Sequence, residues 1–174
     1  MDAFSYLSVL ISIILGLAVQ QVLQGYRTLI LSRQRISFYP PPLIWSVLLL
    51  AMVAQHWWAS FTLAQRVDWS FAIFATILVQ TALIYMMAAI VLPDFPPEKK
   101  IDLRDHYYRE APAFFGIAVA TVCWSLVREY MLEGRLPAPL NLLFHGLFLA
   151  AALTAMLTRR PRVHEGLTLL MALM

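Results

Sequence analysis

Apolar residues in this chain come in long blocks separated by short polar breaks. They show neither the period-two alternation of strands nor the single stripe of a helix in water. The first block, 4–31, reads FSYLSVLISIILGLAVQQVLQGYRTLIL; between Leu7 and Val19 nothing is more polar than serine, and Arg27 is the first charge after Asp2. Ser8, Ser12, Gly16, Gln20, Gln24 and Thr28 recur every fourth residue, so small or hydrogen-bonding side chains trace a ridge on a helix otherwise made of Leu, Ile and Val. Membrane helices are built this way, greasy toward lipid and small or polar toward neighbouring helices.

The later blocks follow the same plan. After SRQRISFYPPP, whose prolines suit the first turn of a span because their missing N–H would be unbonded there anyway, a second helix is predicted over 42–65, with Gln55 and His56 inside it. A third runs over 69–92 with Gln80 near its middle. PDFPPEKK breaks the pattern and leads into DLRDHYYRE, 102–110, predicted as a short amphipathic piece at the surface with Tyr107 and Tyr108 in the headgroup layer. The fourth helix, 112–133, carries Arg128 and Glu129 toward its end and is closed by GRLPAP. The fifth, 139–158, has Asn141 and His145 near its start, then Gly146, Ala150 and Thr154 on a second four-residue ridge. A last run ends nine residues after Glu165, ~14 Å of helix against ~30 Å of hydrocarbon, so a partial sixth helix is expected over 163–174. The predicted fold is one all-α domain, 1–174, of five full spans and a partial sixth.

Composition agrees: 61% of the 174 residues are apolar and 13% charged, against about 45–50% and roughly 25% in soluble domains. The first helix has no basic residue before it and no small-x-small site after it, so it is expected to be retained rather than cleaved. A net charge of +3 suggests topology rather than nucleic acid, because the basic residues sort by connection. With the N-terminus outside, Arg27, Arg33, Arg35, Lys99, Lys100, Arg104, Arg109, Arg159, Arg160 and Arg162 lie inside, and only Arg66, Arg128 and Arg135 outside. Trp57, Trp58 and Trp69 would mark the outer interface, and Tyr39, Trp45, Tyr107 and Tyr108 the inner one. Cys123, alone in an apolar run, allows no intrachain disulfide and reads as a buried thiol.

A weak internal repeat is visible. VQQVLQG ending at Gly25 and VREYMLEG ending at Gly134 are each followed by a proline-led helix and then an Arg-Val, at 66 and 162. Three spans per unit would make this a 3+3 inverted repeat, the plan of many secondary transporters.

The intramembrane polar residues are the candidate chemistry. Gln20, Gln24, Gln55 and Gln80 either line a polar pathway or join helices by amide hydrogen bonds. His56 and His145 fall at depths only ~5 Å apart, so they could hold a b-type haem or metal, relay protons with Asn141 nearby, or serve as structural hydrogen-bond partners. His106 and His164 would form a second layer near the inner surface. Arg128 and Glu129 are ~100° apart on their helix and read as an interfacial anchor or as a gate or carboxylate contact. Asp102 and His106 supply at most half a metal site, and Asp105–Arg109 fits an exposed pair. The sequence has no phosphate loop, nucleophile elbow, HExxH or CxxC, and no enzymatic chemistry is expected of it.

The pattern SYLSVLISIILGLAVQQVLQG, LIWSVLLLAMVAQHWW, DWSFAIFATIL, VLPDF, DLRDHYYREAPAFFG and TRRPRVH resembles a group of small bacterial polytopic inner-membrane proteins of unassigned function, marked by a DLRxHYY-type segment between helices three and four. The resemblance covers nearly the whole chain and implies location and a helical bundle, with no activity attached. Members of that group continue into a complete last helix, so Met174 is expected to be a truncation. Three functions are open at this point: a small transporter or channel-like bundle, a non-catalytic accessory or scaffold subunit that forms homo-oligomers or binds partner helices, and a haem b electron carrier.

Overall fold

The computed structural model describes residues 3–93 and 100–173. Asp2, the 94–99 connection with Lys99, and Met174 lie outside the described residues. Six helices are present among them: α1 (Ala3–Leu31), α2 (Pro40–Ser60), α3 (Phe71–Val91), α4 (Leu103–Glu133), α5 (Pro139–Leu157) and α6 (Pro161–Leu173). The first five are long and apolar enough to cross a membrane, α2 being extended by a 3-10 turn over Phe61–Gln65. At one end of the bundle, Ile36–Ser37 (β1) and Ile101–Asp102 (β2) form a two-residue parallel ladder that ties the α1–α2 connection to the α3–α4 connection.

The central helix is α3, packed against α1, α2 and α4, while α5 leans on the far side of α4. Its sequence explains this position. Ile73, Thr76, Ile77, Gln80, Thr81, Ile84, Met87, Ala88 and Val91 are all buried, covering more of the helix circumference than a single stripe. Against it α1 presents Leu7, Ile11, Leu15, Ala18 and Val22. Close approach at the end of this seam depends on Gly25, where a Cβ would stand 2.6 Å from Leu92 Cδ1 and 2.9 Å from Leu92 Cβ. Since lipid tails are as apolar as leucine, such seams are held by dispersion and fit rather than by exclusion from water.

Four expectations need correction. The DLRDHYYRE segment is not a separate surface piece: α4 runs unbroken from Leu103 through Pro112, its start capped by Asp102 Oδ1, which accepts from the Arg104 and Asp105 N–H groups at 2.8 and 3.2 Å. Tyr107 is buried rather than in the headgroup layer, and Trp45, also buried, packs edge-on against Phe114 and Phe115. Cys123 is exposed on α4, because the buried face of that helix carries Phe114, Phe115, Ala118 and Thr121 instead. The two halves are also packed differently: α1 lies along α3 in the first, whereas the 13-residue α6 lodges on α2 and touches α4 through its histidine.

Candidate functional site

At the bundle end where α2 and α4 terminate, the 3-10 turn, the last turns of α4 and the start of α5 enclose a cavity of about 600 Å³. His56, Arg128, Glu129 and Asn141 line it, so four sequence candidates meet at one place. Gly134 makes this possible: with φ at 69° it stops α4 in the left-handed conformation that glycine adopts without strain, and turns the chain back toward α5. Arg66 ties the α2–α3 connection to the end of α4, its guanidinium donating to Leu132 O at 2.9 Å and pairing with Asp68 at 2.9 Å.

Hydrogen-bond donors fix the state of the site. Thr81 Oγ1 donates to Ile77 O at 2.9 Å and therefore accepts from His56 Nε2–H at 3.0 Å. His56 is then neutral at Nδ1, whose lone pair faces Arg128 Nη1 at 3.5 Å. The buried Arg128 Nε has no partner, and no carboxylate lies within 4.0 Å of this guanidinium among the described residues. A cation held by a neutral ring, with a free donor in a low-dielectric wall, is an arrangement that favours a negative group.

The remaining candidates do not join it. His145 donates from Nδ1 to Asn141 O at 2.7 Å and meets Ser125 Oγ at 3.1 Å through Nε2, so it is engaged with α4 and not with His56. Each of the four nitrogens of this histidine pair already faces a protein partner. The glutamines do not converge: Gln80 is buried in the α3–α4 seam, donating to Thr121 O at 3.4 Å with Oε1 unpartnered, whereas Gln20, Gln24 and Gln55 face outward. Neither predicted packing ridge is buried in a helix seam, although Ser12 Oγ accepts from Trp57 Nε1 of α2 at 3.3 Å. Ser12, Gly16, Gln20 and Gln24 are exposed on α1, with Ser8 half-buried, and Gly146, Ala150 and Thr154 are exposed on α5.

A second polar cluster lies at the opposite end, where the sequence suggested a layer of His106 and His164 and gave no sign of Thr168 or of the pairing His164 makes with Tyr107. Tyr107 Oη donates to His164 Nδ1 at 3.0 Å, whose Nε2–H donates to Thr158 O at 2.6 Å, and Trp45 Nε1 donates to Thr168 Oγ1 at 3.1 Å. These bonds pin α6 to α2 and α4. Beside them Tyr39 meets Tyr108 Oη at 3.0 Å, and burial, reinforced by that hydroxyl, pushes the Tyr39 phenol above its ordinary range. His106 turns to Ile90 O at 3.2 Å and Asp102 to the helix cap, so the two do not form half a metal site. Asp105 and Arg109 do pair, at 3.4 Å.

What the fold defines is a class, the multi-pass membrane helical bundle, with a polar cavity at its end and an exposed small and amide-bearing ridge along its first helix. Comparison with protein-family models, curated proteins and solved structures finds no match.

Proposed function

We propose that the protein is a non-catalytic scaffold subunit of a bacterial inner membrane, N-terminus outside, which associates through α1 with a second copy of itself. One observation carries this: Gln20 and Gln24 face outward from α1 and their amides make no hydrogen bond among the described residues. Gln20 stands 11 residues before the end of α1, ~16 Å along the helix and so near the middle of a ~30 Å hydrocarbon layer. An amide left among acyl chains there is costly, and a facing helix removes the cost. Gly16, one turn earlier, has nothing within 4 Å of a Cβ position and lets a second backbone approach. Because an amide both donates and accepts, a parallel two-fold pairing of α1 satisfies Gln20 with Gln20 and Gln24 with Gln24.

Two features favour this over transport and electron transfer. The bundle centre below the cavity is filled by Ile77, Thr81, Ile84 and Met87, each at most 1% exposed. The imidazoles of His56 and His145 have both nitrogens engaged elsewhere, leaving none to ligate haem iron. The test is cross-linking in membranes in a Cys123→Ser background. Gly16→Cys should form a disulfide dimer, Leu143→Cys on α5 should not, and Gly16→Ile should disperse the dimer without unfolding the chain. A Gly16→Cys protein that stays monomeric, or that cross-links only to a different polypeptide, overturns self-association.

A further inference from the structure

We propose that the cavity at the ends of α2 and α4 binds a small zwitterion, its oxyanion against Arg128 and its ammonium against Glu129. The charges on the cavity wall are Arg128, Glu129, Glu133 and Arg135. Glu133 and Arg135 approach each other at 3.9 Å, which leaves one cation and one carboxylate without a counter-ion within 4.0 Å among the described residues. Although adjacent in sequence and ~100° apart on α4, both reach the same cavity. A bare anion would satisfy the first and meet repulsion from the second; a ligand with an oxyanion and an ammonium a few bonds apart complements both. Arg128 is steadied through Nη1 by His56, a positioning residue, at 3.5 Å, so its guanidinium is preorganised rather than mobile. Asn141, whose side-chain amide is free of protein partners, adds a donor and an acceptor at the rim.

The α1 ridge lies on another element and contributes nothing to this cavity, so binding there is independent of association. Two sources carry this chemistry, a free amino acid and a phosphoethanolamine headgroup. Calorimetry on the full chain in micelles would use L-alanine and phosphoethanolamine as probes, with acetate and ethylamine as single-charge controls. The zwitterions should bind about tenfold or more tighter than either control, and Arg128→Gln and Glu129→Gln should each erase that preference. The Glu129 side chain makes no hydrogen bond or ion pair among the described residues, so Glu129→Gln keeps its circular dichroism spectrum and isolates the binding effect. Tight L-alanine binding identifies a free solute. Binding of phosphoethanolamine alone, with phosphatidylethanolamine retained through purification by the original chain and lost from Glu129→Gln, identifies a lipid headgroup. Absence of saturable heat from all four probes, or a single-charge probe that binds as tightly as the zwitterions, overturns the proposal.

Discussion

Gly16 and Gly25 lie on the same helix and differ in what surrounds them, which makes a matched pair of substitutions informative. Replacing an interior helical glycine by alanine gains about 1 kcal/mol of propensity, and this gain is common to both positions. At Gly16 the new methyl meets nothing within 4 Å. At Gly25 it meets Leu92, and although the Cδ1 contact at 2.6 Å could be relieved by rotating the leucine, the Cβ contact at 2.9 Å cannot, because Cβ is fixed to the backbone. Relief requires α1 and the end of α3 to separate, an overpacking penalty of about 1–3 kcal/mol. Propensity cancels in the comparison, so Gly25→Ala should be less stable than Gly16→Ala by about 1–3 kcal/mol, roughly 5- to 150-fold in the unfolding constant. The assay is reversible unfolding in mixed micelles with rising dodecyl sulfate, followed by tryptophan fluorescence in dilute protein where the monomer prevails. Equal stability of the two variants would mean that α1 does not approach Leu92, and the α1–α3 seam described above would be wrong.

Three further outcomes are expected. Tyr107→Phe removes the donor to His164 Nδ1 inside a site where His164 is 1% exposed, and an unmet buried acceptor costs about 1–3 kcal/mol; hydrogen exchange should rise across 161–173 and stay unchanged across 71–91. In right-side-out vesicles lacking Cys123, Asp68→Cys should react with an impermeant maleimide and Gln34→Cys should not; the reverse pattern would invert the orientation. Cys123 itself, exposed on a spanning helix, should resist the same reagent in intact vesicles and react once the bilayer is dissolved in dodecyl sulfate, because thiolate formation needs water.

Span number and helix order were legible because hydrocarbon imposes length, and the apolar blocks are as long as the bilayer is thick. The continuity of α4 was legible too, and overlooked: Leu103, Tyr107, Ala111, Phe114, Ala118 and Thr121 keep a helical period straight through Pro112, and that period outweighs the local density of charge in DLRDHYYRE. The cavity was readable in part, since depth along a helix follows from residue count and places His56, Arg128, Glu129 and Asn141 near one end. Azimuth does not follow from count, and so His56 and His145 share a level without sharing a ligand position.

The first helix hides its inward face, because its four-residue repeat is not the helical period. A strict four-residue repeat advances about 40° around the helix at each step, so Ser8 and Thr28 stand about 200° apart and cannot share a face. The structure follows that drift: the middle members Ser12, Gly16, Gln20 and Gln24 are exposed, while the two ends turn in to half-buried positions. The inward face is the set Leu7, Ile11, Leu15, Ala18, Val22 and Gly25, whose spacings average 3.6 and which contains no hydrogen-bonding side chain at all. In water such a stripe would have announced the core, but in a bilayer both surroundings are apolar and the stripe alone says nothing about which side is protein. Gly16 and Gly25, nine residues apart, are on opposite faces by the same arithmetic, about 180°. What separates them in the sequence is that the glutamines share the side of Gly16, and the amides facing outward in hydrocarbon are the signal on which the proposed pairing of α1 rests.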